Sequence, residues 1–394
     1  MLKTVIKTSN SSCFADTLTK IYFQIGISAV EGDKAGSGSA IAIIVDRSGS
    51  MQGEKLDDAR DAAKMVLDVL GEANELALYS FASRVERIVP MGPVDDVDRI
   101  SKEIDRIRAS GGTSLYRALE TVYDDARKFS SEGGSVTAIL LTDGQPSDVT
   151  DVGRYEKLAG SASEIGLKIV SIGIGDYDET ILKKISDITN GDFVNATDRN
   201  LVSETFRKHA REAATAGGTS VTLKIVPRES GSVNVFDQSF TLDDGIATIN
   251  LGSVGATPVN VTGSVDIKGG TEGSITALQA MVSYRDNDGS LREDKFPVTL
   301  NRTKNSEMVV SGINRDLVNE ARLKMQMNQV EYLISQGDFD NATRINRQAM
   351  DAANATRKIE LIEATRKLDR VLSSGSGEVD RKEAYNQTTK IKRN

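Results

Sequence analysis

Residues 39–215 alternate between short apolar runs and longer stretches with helical spacing. The apolar runs, which have the length of buried strands, lie at 40–45, 75–81, 136–142, 167–174 and 192–195. The helical stretches lie at 54–70, 96–108, 114–129, 151–165 and 201–214. Residues 84–89 follow the second strand closely and are expected to return as an antiparallel edge. This alternation predicts an α/β domain with a doubly wound, mostly parallel sheet.

In the segments on both sides of this domain, the hydrophobic pattern has the period of strands rather than that of helices. Within residues 219–312, apolar and polar positions alternate over short runs such as 220–226, with turn residues between the runs. This pattern predicts an antiparallel β-sandwich. Residues 1–34 contain two more strand-like runs, which we expect to complete the sandwich, so that the α/β domain is inserted into it. The alternative is an N-terminal extension that packs independently.

The C-terminal region has helical spacing without strands. The pattern of residues 314–372 predicts a helical domain of three helices. Gly337-Asp338 separates the first helix from the second, and Asp338 is a candidate N-cap. The remaining residues, 373–394, begin with a Ser/Gly-rich spacer and carry five basic side chains. We therefore expect them to form a flexible, solvated basic tail.

Composition narrows the class of protein. The chain has 394 residues, 39% of them hydrophobic, with six prolines and a net charge of −8. These values favour a folded protein of several domains, and the negative charge argues against a nucleic-acid partner. No run approaches the roughly 18 apolar residues that a membrane span requires. The first residues also lack the apolar core of a secretory signal, so we expect a cytoplasmic protein.

The rarity of histidine and cysteine excludes several kinds of site. The single cysteine, Cys13, permits no internal disulfide and is expected to be a small buried residue. The single histidine, His209, is expected to be a solvated or partly packed residue of a helix. A zinc cluster and a Cys/His nucleophile pair are therefore unsupported.

Oxygen-bearing side chains follow the first and third predicted strands of the α/β domain. Asp46, Ser48 and Ser50 come directly after the first, and Asp143 follows the strand at 136–142. Thr113, after two glycines, opens a predicted helix. Ligands of open α/β sheets bind beyond the carboxyl ends of the strands. Carboxylates and hydroxyls there suit a hard cation such as Mg²⁺.

This order of residues resembles the metal-ion-dependent adhesion site of von Willebrand factor A domains, in particular of intracellular prokaryotic members. The resemblance extends from about residue 39 to residue 214, and all of the matching positions carry the expected residue type: Asp46, Ser48, Ser50, Thr113 and Asp143. It implies that these residues hold Mg²⁺, with Mn²⁺ or Ca²⁺ as alternatives. Ser48 and Ser50 would coordinate directly, and the two aspartates directly or through water.

The resemblance also implies how the protein would work. One coordination position of the metal would stay open for an Asp or Glu of a protein partner, which makes the chain a non-enzymatic scaffold or interaction module. Such proteins often act beside AAA+ ATPases or in other multiprotein assemblies, and self-association through the site is a further expectation. Asp148, near Asp143, is expected to cap the next helix.

Two other functions stay open. One is a Mg²⁺-dependent phosphoryl-transfer enzyme, although Ser48 stands where a phosphatase of the haloacid-dehalogenase type would need a second aspartate. The other is a structural subunit with a vestigial metal site, in which the sandwich or the helices make the contacts.

Overall fold

The computed structural model describes residues 1–30, 38–70, 74–374 and 380–394. The N-terminal strands are β1 (Leu2–Thr8), β2 (Ser12–Phe14) and β3 (Thr19–Ala29). The α/β domain follows with β4 (Ser39–Asp46), α1 (Glu54–Leu67), β5 (Glu75–Phe81), β6 (Val85–Pro93), α2 (Val97–Asp105), α3 (Leu115–Ser131), β7 (Ser135–Thr142), α4 (Val152–Glu164), β8 (Lys168–Ile174), α5 (Glu179–Ile188), β9 (Phe193–Ala196) and α6 (Arg199–Ala214). A short 3-10 helix, Gly49–Met51, lies between β4 and α1.

The sheet of the α/β domain has the order β6-β5-β4-β7-β8-β9. Its strands are parallel except for the antiparallel edge strand β6. Every residue of β4 is buried, because helices cover both faces of the sheet. Alternate residues of β4 pack against α3 on one face and against α1 and α6 on the other. The predicted α/β fold class is confirmed.

The next elements form a β-sandwich. Its strands after the α/β domain are β10 (Gly218–Pro227), β11 (Ser230–Val235), β12 (Thr241–Asp243), β13 (Ile246–Val254), β14 (Val259–Ile267), β15 (Gly273–Arg285) and β16 (Leu291–Thr303). One sheet has the order β1-β3-β14-β11, and the other β12-β13-β10-β15-β16-β2. The N-terminal strands thus lie in both sheets, and the α/β domain is inserted between β3 and β10. Cys13 on β2 is fully buried in the sandwich core.

The C-terminal helices are α7 (Ser306–Ser311), α8 (Arg315–Ser335), α9 (Phe339–Thr356), α10 (Ile359–Ser373) and α11 (Arg381–Arg393). In α8, α9 and α10, buried apolar side chains join the hydrophobic core on the α3 face of the sheet. These three helices and α11 are therefore fastened to the α/β domain, whereas α7 contacts β2 and β16 of the sandwich. No helix in the described ranges has the length and apolar character to cross a membrane.

The prediction of a flexible tail over residues 373–394 is wrong for α11. This helix packs against α8, α10 and β9, and it buries polar side chains, among them Asn386, Gln387 and Thr388. Asn195 of β9 donates from Nδ2 to Glu383 Oε2 at 3.2 Å. Several of these polar groups pair within the helix, as when Gln387 Nε2 donates to Glu383 Oε1 at 2.6 Å, and Glu383 also pairs with β9 and α10. The buried face therefore has little of the apolar periodicity that marks a packed helix.

The prediction that His209 is solvated or partly packed is also corrected, because its side chain is only 3% exposed. Its Nδ1 lies 3.0 Å from Glu212 Oε2, and its Nε2 lies 3.3 Å from Asp192 Oδ2. The Asp192 carboxylate also contacts Lys208 at 2.7 Å and Arg393 of α11 at 3.7 Å. We call these five residues the Asp192 cluster. It lies where β9 begins and ties α11 to α6.

Candidate metal centre

The candidate centre lies at the carboxyl end of β4, between its parallel neighbours β5 and β7. Asp46 is the last residue of β4 and is fully buried. Its Oδ1 accepts a hydrogen bond from the Ser48 amide at 2.7 Å, and its Oδ2 accepts one from Thr142 Oγ1 at 2.5 Å. The carboxylate is therefore held in one orientation by its own loop and by the end of β7.

The loop after β4 brings two hydroxyls to Asp143. Ser48 Oγ and Ser50 Oγ are hydrogen-bonded at 3.0 Å, and Ser50 Oγ donates to Asp143 Oδ1 at 2.6 Å. Asp143 directly follows β7, which pairs with β4 in parallel register. Because parallel strands end at the same edge, residues far apart in the chain meet here.

Thr113 reaches the same place from the loop before α3. Its amide donates to Ser147 Oγ at 2.9 Å, and its carbonyl accepts from the Ser147 amide at 2.8 Å. A side-chain carbon added to Gly144 would meet Thr113 Oγ1 at 2.9 Å and Ser50 Oγ at 3.7 Å. All five residues predicted for the site thus lie together, and Gly144 leaves room for the threonine hydroxyl.

Arg47 fixes the loops relative to one another. Its guanidinium donates to Ser80 Oγ at 3.2 Å, to Ser110 Oγ at 2.9 Å and to Glu86 Oε1 at 2.6 Å. Its carbonyl accepts from the Ser110 amide at 2.7 Å. These contacts join the loop after β4 to the strand β5 and to the loop that carries Thr113, so the site is pre-organised by residues that do not themselves face Asp143.

A cation contacts the site from α1. Lys55 Nζ lies 2.5 Å from Asp143 Oδ2, and the Asp143 side chain is fully buried while that of Lys55 is 39% exposed. Sequence reasoning missed this residue. The signal that could have found it is its position, because a basic residue in the first turn of a helix opposes the helix dipole and calls for a tertiary partner.

The second missed group consists of residues that orient the site, namely Thr142 and Ser147. The prediction for Asp148 is corrected as well. Its carboxylate accepts from the Arg117 amide at 3.0 Å at the start of α3, whereas α4 is capped by Asp151. The segment after Asp143 therefore supports the Thr113 loop, which the sequence order does not reveal.

The chemistry of the donor set fits a hard divalent cation. Two carboxylates and three hydroxyls converge, without nitrogen or sulfur donors among the five. Burial raises the pKa of Asp46, and hydrogen bonds from Thr142 and Ser48 oppose the shift without cancelling it, while the Asp143 charge adds to it. Among the described residues, no group of three or more His, Cys, Asp or Glu side chains forms a metal-binding cluster.

Comparison with known families agrees with this geometry. Residues 40–208 match the model of the von Willebrand factor type A domain. The α/β domain, called the A domain below, is thus similar to von Willebrand factor A domains over almost its whole length. Residues 315–394 match the model of the C-terminal domain of archaellum regulatory network B, which spans α8 to α11. The helix that we expected to be a tail thus lies within this match.

Two solved structures share the fold over the whole chain. The ArnB paralogue VWA2 from Sulfolobus acidocaldarius has 24% sequence identity and a TM-score of 0.73, with 100% of this chain and 98% of that chain covered. A von Willebrand factor type A protein from Catenulispora acidiphila has 18% identity and a TM-score of 0.79, with 99% and 96% covered. The A domain, the sandwich and the helices therefore recur together.

Curated relatives match over part of the chain. An uncharacterised protein of Synechocystis sp. is 28% identical over 184 residues, which cover 46% of this chain and 43% of the relative. This chain thus spans less than half the length of that relative. The similarities support a protein-interaction role in general terms.

Proposed function

We propose that this protein is a Mg²⁺-dependent, non-enzymatic interaction module that binds a carboxylate of a protein partner. The observation that carries the proposal is the convergence of Asp46, Ser48, Ser50, Thr113 and Asp143 at one sheet edge. Two carboxylates and three hydroxyls face a single contacting ammonium group, so the site has an excess of negative charge and of oxygen donors. A site of that kind favours a divalent cation.

The roles of the residues follow from their positions. Ser48 and Ser50 would offer neutral oxygens, and Asp143 would supply charge close to Ser50. Asp46 would orient the loop, because both of its oxygens already accept hydrogen bonds. Mg²⁺ bound by such a mixed set stays electrophilic and can take an Asp or Glu from a partner. Mn²⁺ and Ca²⁺ are alternatives, since both accept oxygen ligands.

The partner belongs to a protein assembly in this proposal. The C-terminal helices match a domain of archaellum regulatory network B, which supports a regulatory setting. An AAA+ ATPase and a second copy of this chain are candidate partners, and the cytoplasm is the proposed location. The helical domain and the sandwich would present the A domain in a fixed orientation, because all three share packed interfaces.

The enzymatic alternative is less well supported by the geometry. A phosphatase nucleophile needs an accessible carboxylate oxygen, yet Asp46 is fully buried and both of its oxygens accept hydrogen bonds. The alternative of a vestigial metal site is less well supported as well, because all five positions of the site carry an oxygen ligand. These observations support binding rather than catalysis.

Calorimetric titration of the full chain with Mg²⁺ tests the proposal directly. We expect the wild type to bind one ion, and we expect the double variant Ser48→Ala/Ser50→Ala to lose binding by about a hundredfold, because it removes two ligands. The control is Ser131→Ala, which makes the same chemical change at the exposed end of α3 and should leave binding unchanged.

A second experiment tests whether a protein partner binds through the metal ion. A co-purified partner should be released by EDTA and recaptured when Mg²⁺ is restored. Full retention of the partner in EDTA would contradict the proposal. Phosphatase turnover that disappears in the double variant would instead support the enzymatic alternative.

A further inference from the structure

Lys55 places a tethered cation on the candidate metal centre. We propose that the Lys55 ammonium and the divalent ion exclude one another at Asp143, so that Lys55 sets the affinity of the site for metal. This inference rests on the function proposed above. It assigns to Lys55 a role that none of the five predicted ligands has.

The contact geometry makes Lys55 a direct competitor. One oxygen of Asp143 accepts from Ser50 Oγ at 2.6 Å, and the other lies 2.5 Å from Lys55 Nζ. Both oxygens of this buried carboxylate are therefore engaged. An ion bound beside Ser50 and Asp143 would lie next to the ammonium group, and the two like charges would repel one another at the buried Asp143 carboxylate.

A second acidic environment lies beside the Lys55 ammonium group. Lys55 borders a cleft of about 580 Å³ between α1 and the start of α6, and acidic side chains line this cleft, namely Glu54, Asp57, Asp58 and Asp198. Arg199 neutralises part of this charge through Asp58 at 3.3 Å. The Lys55 side chain is flexible and 39% exposed. Its ammonium group can therefore leave Asp143 and move to the acidic cleft by rotation of the side chain, without a change of the backbone.

This exchange explains why the site needs the lysine. Without a bound ion, a buried Asp143 carboxylate would lack a counter-charge, which destabilises a fold. Lys55 supplies that charge internally. The metal then binds by replacing one cation with another, so its net affinity is the difference between two favourable interactions.

Titration of the full chain with Mg²⁺ alone tests the inference. We expect Lys55→Met, which keeps the stem and removes the charge, to bind Mg²⁺ about tenfold more tightly than the wild type. Lys55→Arg keeps the charge and should stay close to the wild type. The control is Lys64→Met on the same helix, which breaks an ion pair with Asp105 (2.5 Å) away from the site and should not change Mg²⁺ affinity.

Thermal unfolding gives a second measurement. In EDTA, Lys55→Met should melt below the wild type, and saturating Mg²⁺ should raise its melting temperature more than that of the wild type. Wild-type binding of Mg²⁺ with equal or weaker binding by Lys55→Met would overturn this inference alone. A lack of Mg²⁺ binding in the wild type and in every variant would overturn the proposed function as well.

Discussion

The two ends of the parallel sheet both carry clusters of buried and partly exposed charged side chains, but their balance of charge is opposite. At the carboxyl end, Asp46 and Asp143 face one contacting cation, Lys55. At the other end, the carboxylates of the Asp192 cluster meet His209, Lys208 and Arg393. The first region has carboxylates in excess, whereas the second has cations to match or exceed its carboxylates.

This difference separates the candidate metal centre from a cluster that joins elements of the fold. Partly buried acids that are fully paired stabilise one arrangement and have no capacity for another cation. Here they fasten α11 to α6 and β9. Buried acids with hydroxyls beside them and too little positive charge favour the arrival of a cation. The same residue types thus serve two purposes, and the number of neighbouring cations distinguishes them.

The largest effect is expected from Asp143→Ala, which removes a ligand charge from the first region. Mg²⁺ affinity should fall by on the order of a hundredfold, because the charge of the ligand set controls affinity for a divalent ion. Calorimetric titration measures the change. If Asp192→Ala, at the other end of the sheet, weakened Mg²⁺ binding to the same degree, the proposed difference between the two regions would be contradicted.

The next effect is on stability and concerns the second region. Asp192→Ala leaves His209, Lys208 and Arg393 without a shared carboxylate, so the free energy of unfolding should fall by about 2 kcal/mol. Urea unfolding in EDTA measures it. As a control, Asp176→Ala breaks a contact of 3.6 Å with Lys382 by a side chain that is 93% exposed, and it should leave stability unchanged. Equal losses in the two variants would show that the cluster is not a joint.

The smallest expected effect is a pH dependence of stability that arises in the Asp192 cluster. Burial opposes the charge of His209, yet Asp192 and Glu212 outweigh it and raise the pKa of His209 above its ordinary 6.5. Its stabilisation is therefore present below pH 6.5 and is lost as the pH rises through the raised pKa. We expect the melting temperature in EDTA to fall by a few degrees between about pH 6 and about pH 9.

The carboxylates of the same cluster control the stability of the protein at low pH. The pKa of Asp192 and that of Glu212 are lowered, because the neighbouring cations outweigh the effect of burial, so their contribution disappears when the pH falls through the lowered values. The variant His209→Gln should remove the decline at high pH and weaken the decline at low pH, because the hydrogen bond from His209 is the largest of the interactions that lower the pKa of Asp192 and that of Glu212. A decline above pH 6.5 that persists in this variant would assign it to other groups.

Much of the fold could be predicted because its apolar pattern is regular. The strands of the α/β domain are continuous apolar runs, as expected for a sheet that is covered on both faces. The helix α5 was not among the predicted helices, although Asp178, which has the character of a helix cap in the sequence, does cap it by accepting from the Ile181 amide at 2.9 Å. The helix α11 was missed because its buried face is polar.

The five candidate ligands could be predicted from sequence because they directly follow strands or open a helix. Their partners could not. Thr142 is an ordinary strand residue until β7 lies beside β4, and Ser147 orients Thr113 only after two distant loops meet. His209 looked like a helix residue in a basic stretch, and its burial depends on Asp192 at the start of β9.

The sequence by itself determined the alternation of strands and helices and the oxygen-only character of the candidate site, because both depend on local patterns and residue type. The tertiary structure alone decided which charges are neutralised, since ion pairs such as Lys55 with Asp143 and Arg393 with Asp192 join residues that are distant in the chain. Electrostatic interaction depends on distance and burial, and neither can be read from sequence spacing. That balance of charge distinguishes the end of the sheet that carries the candidate metal centre from the end where the carboxylates are paired.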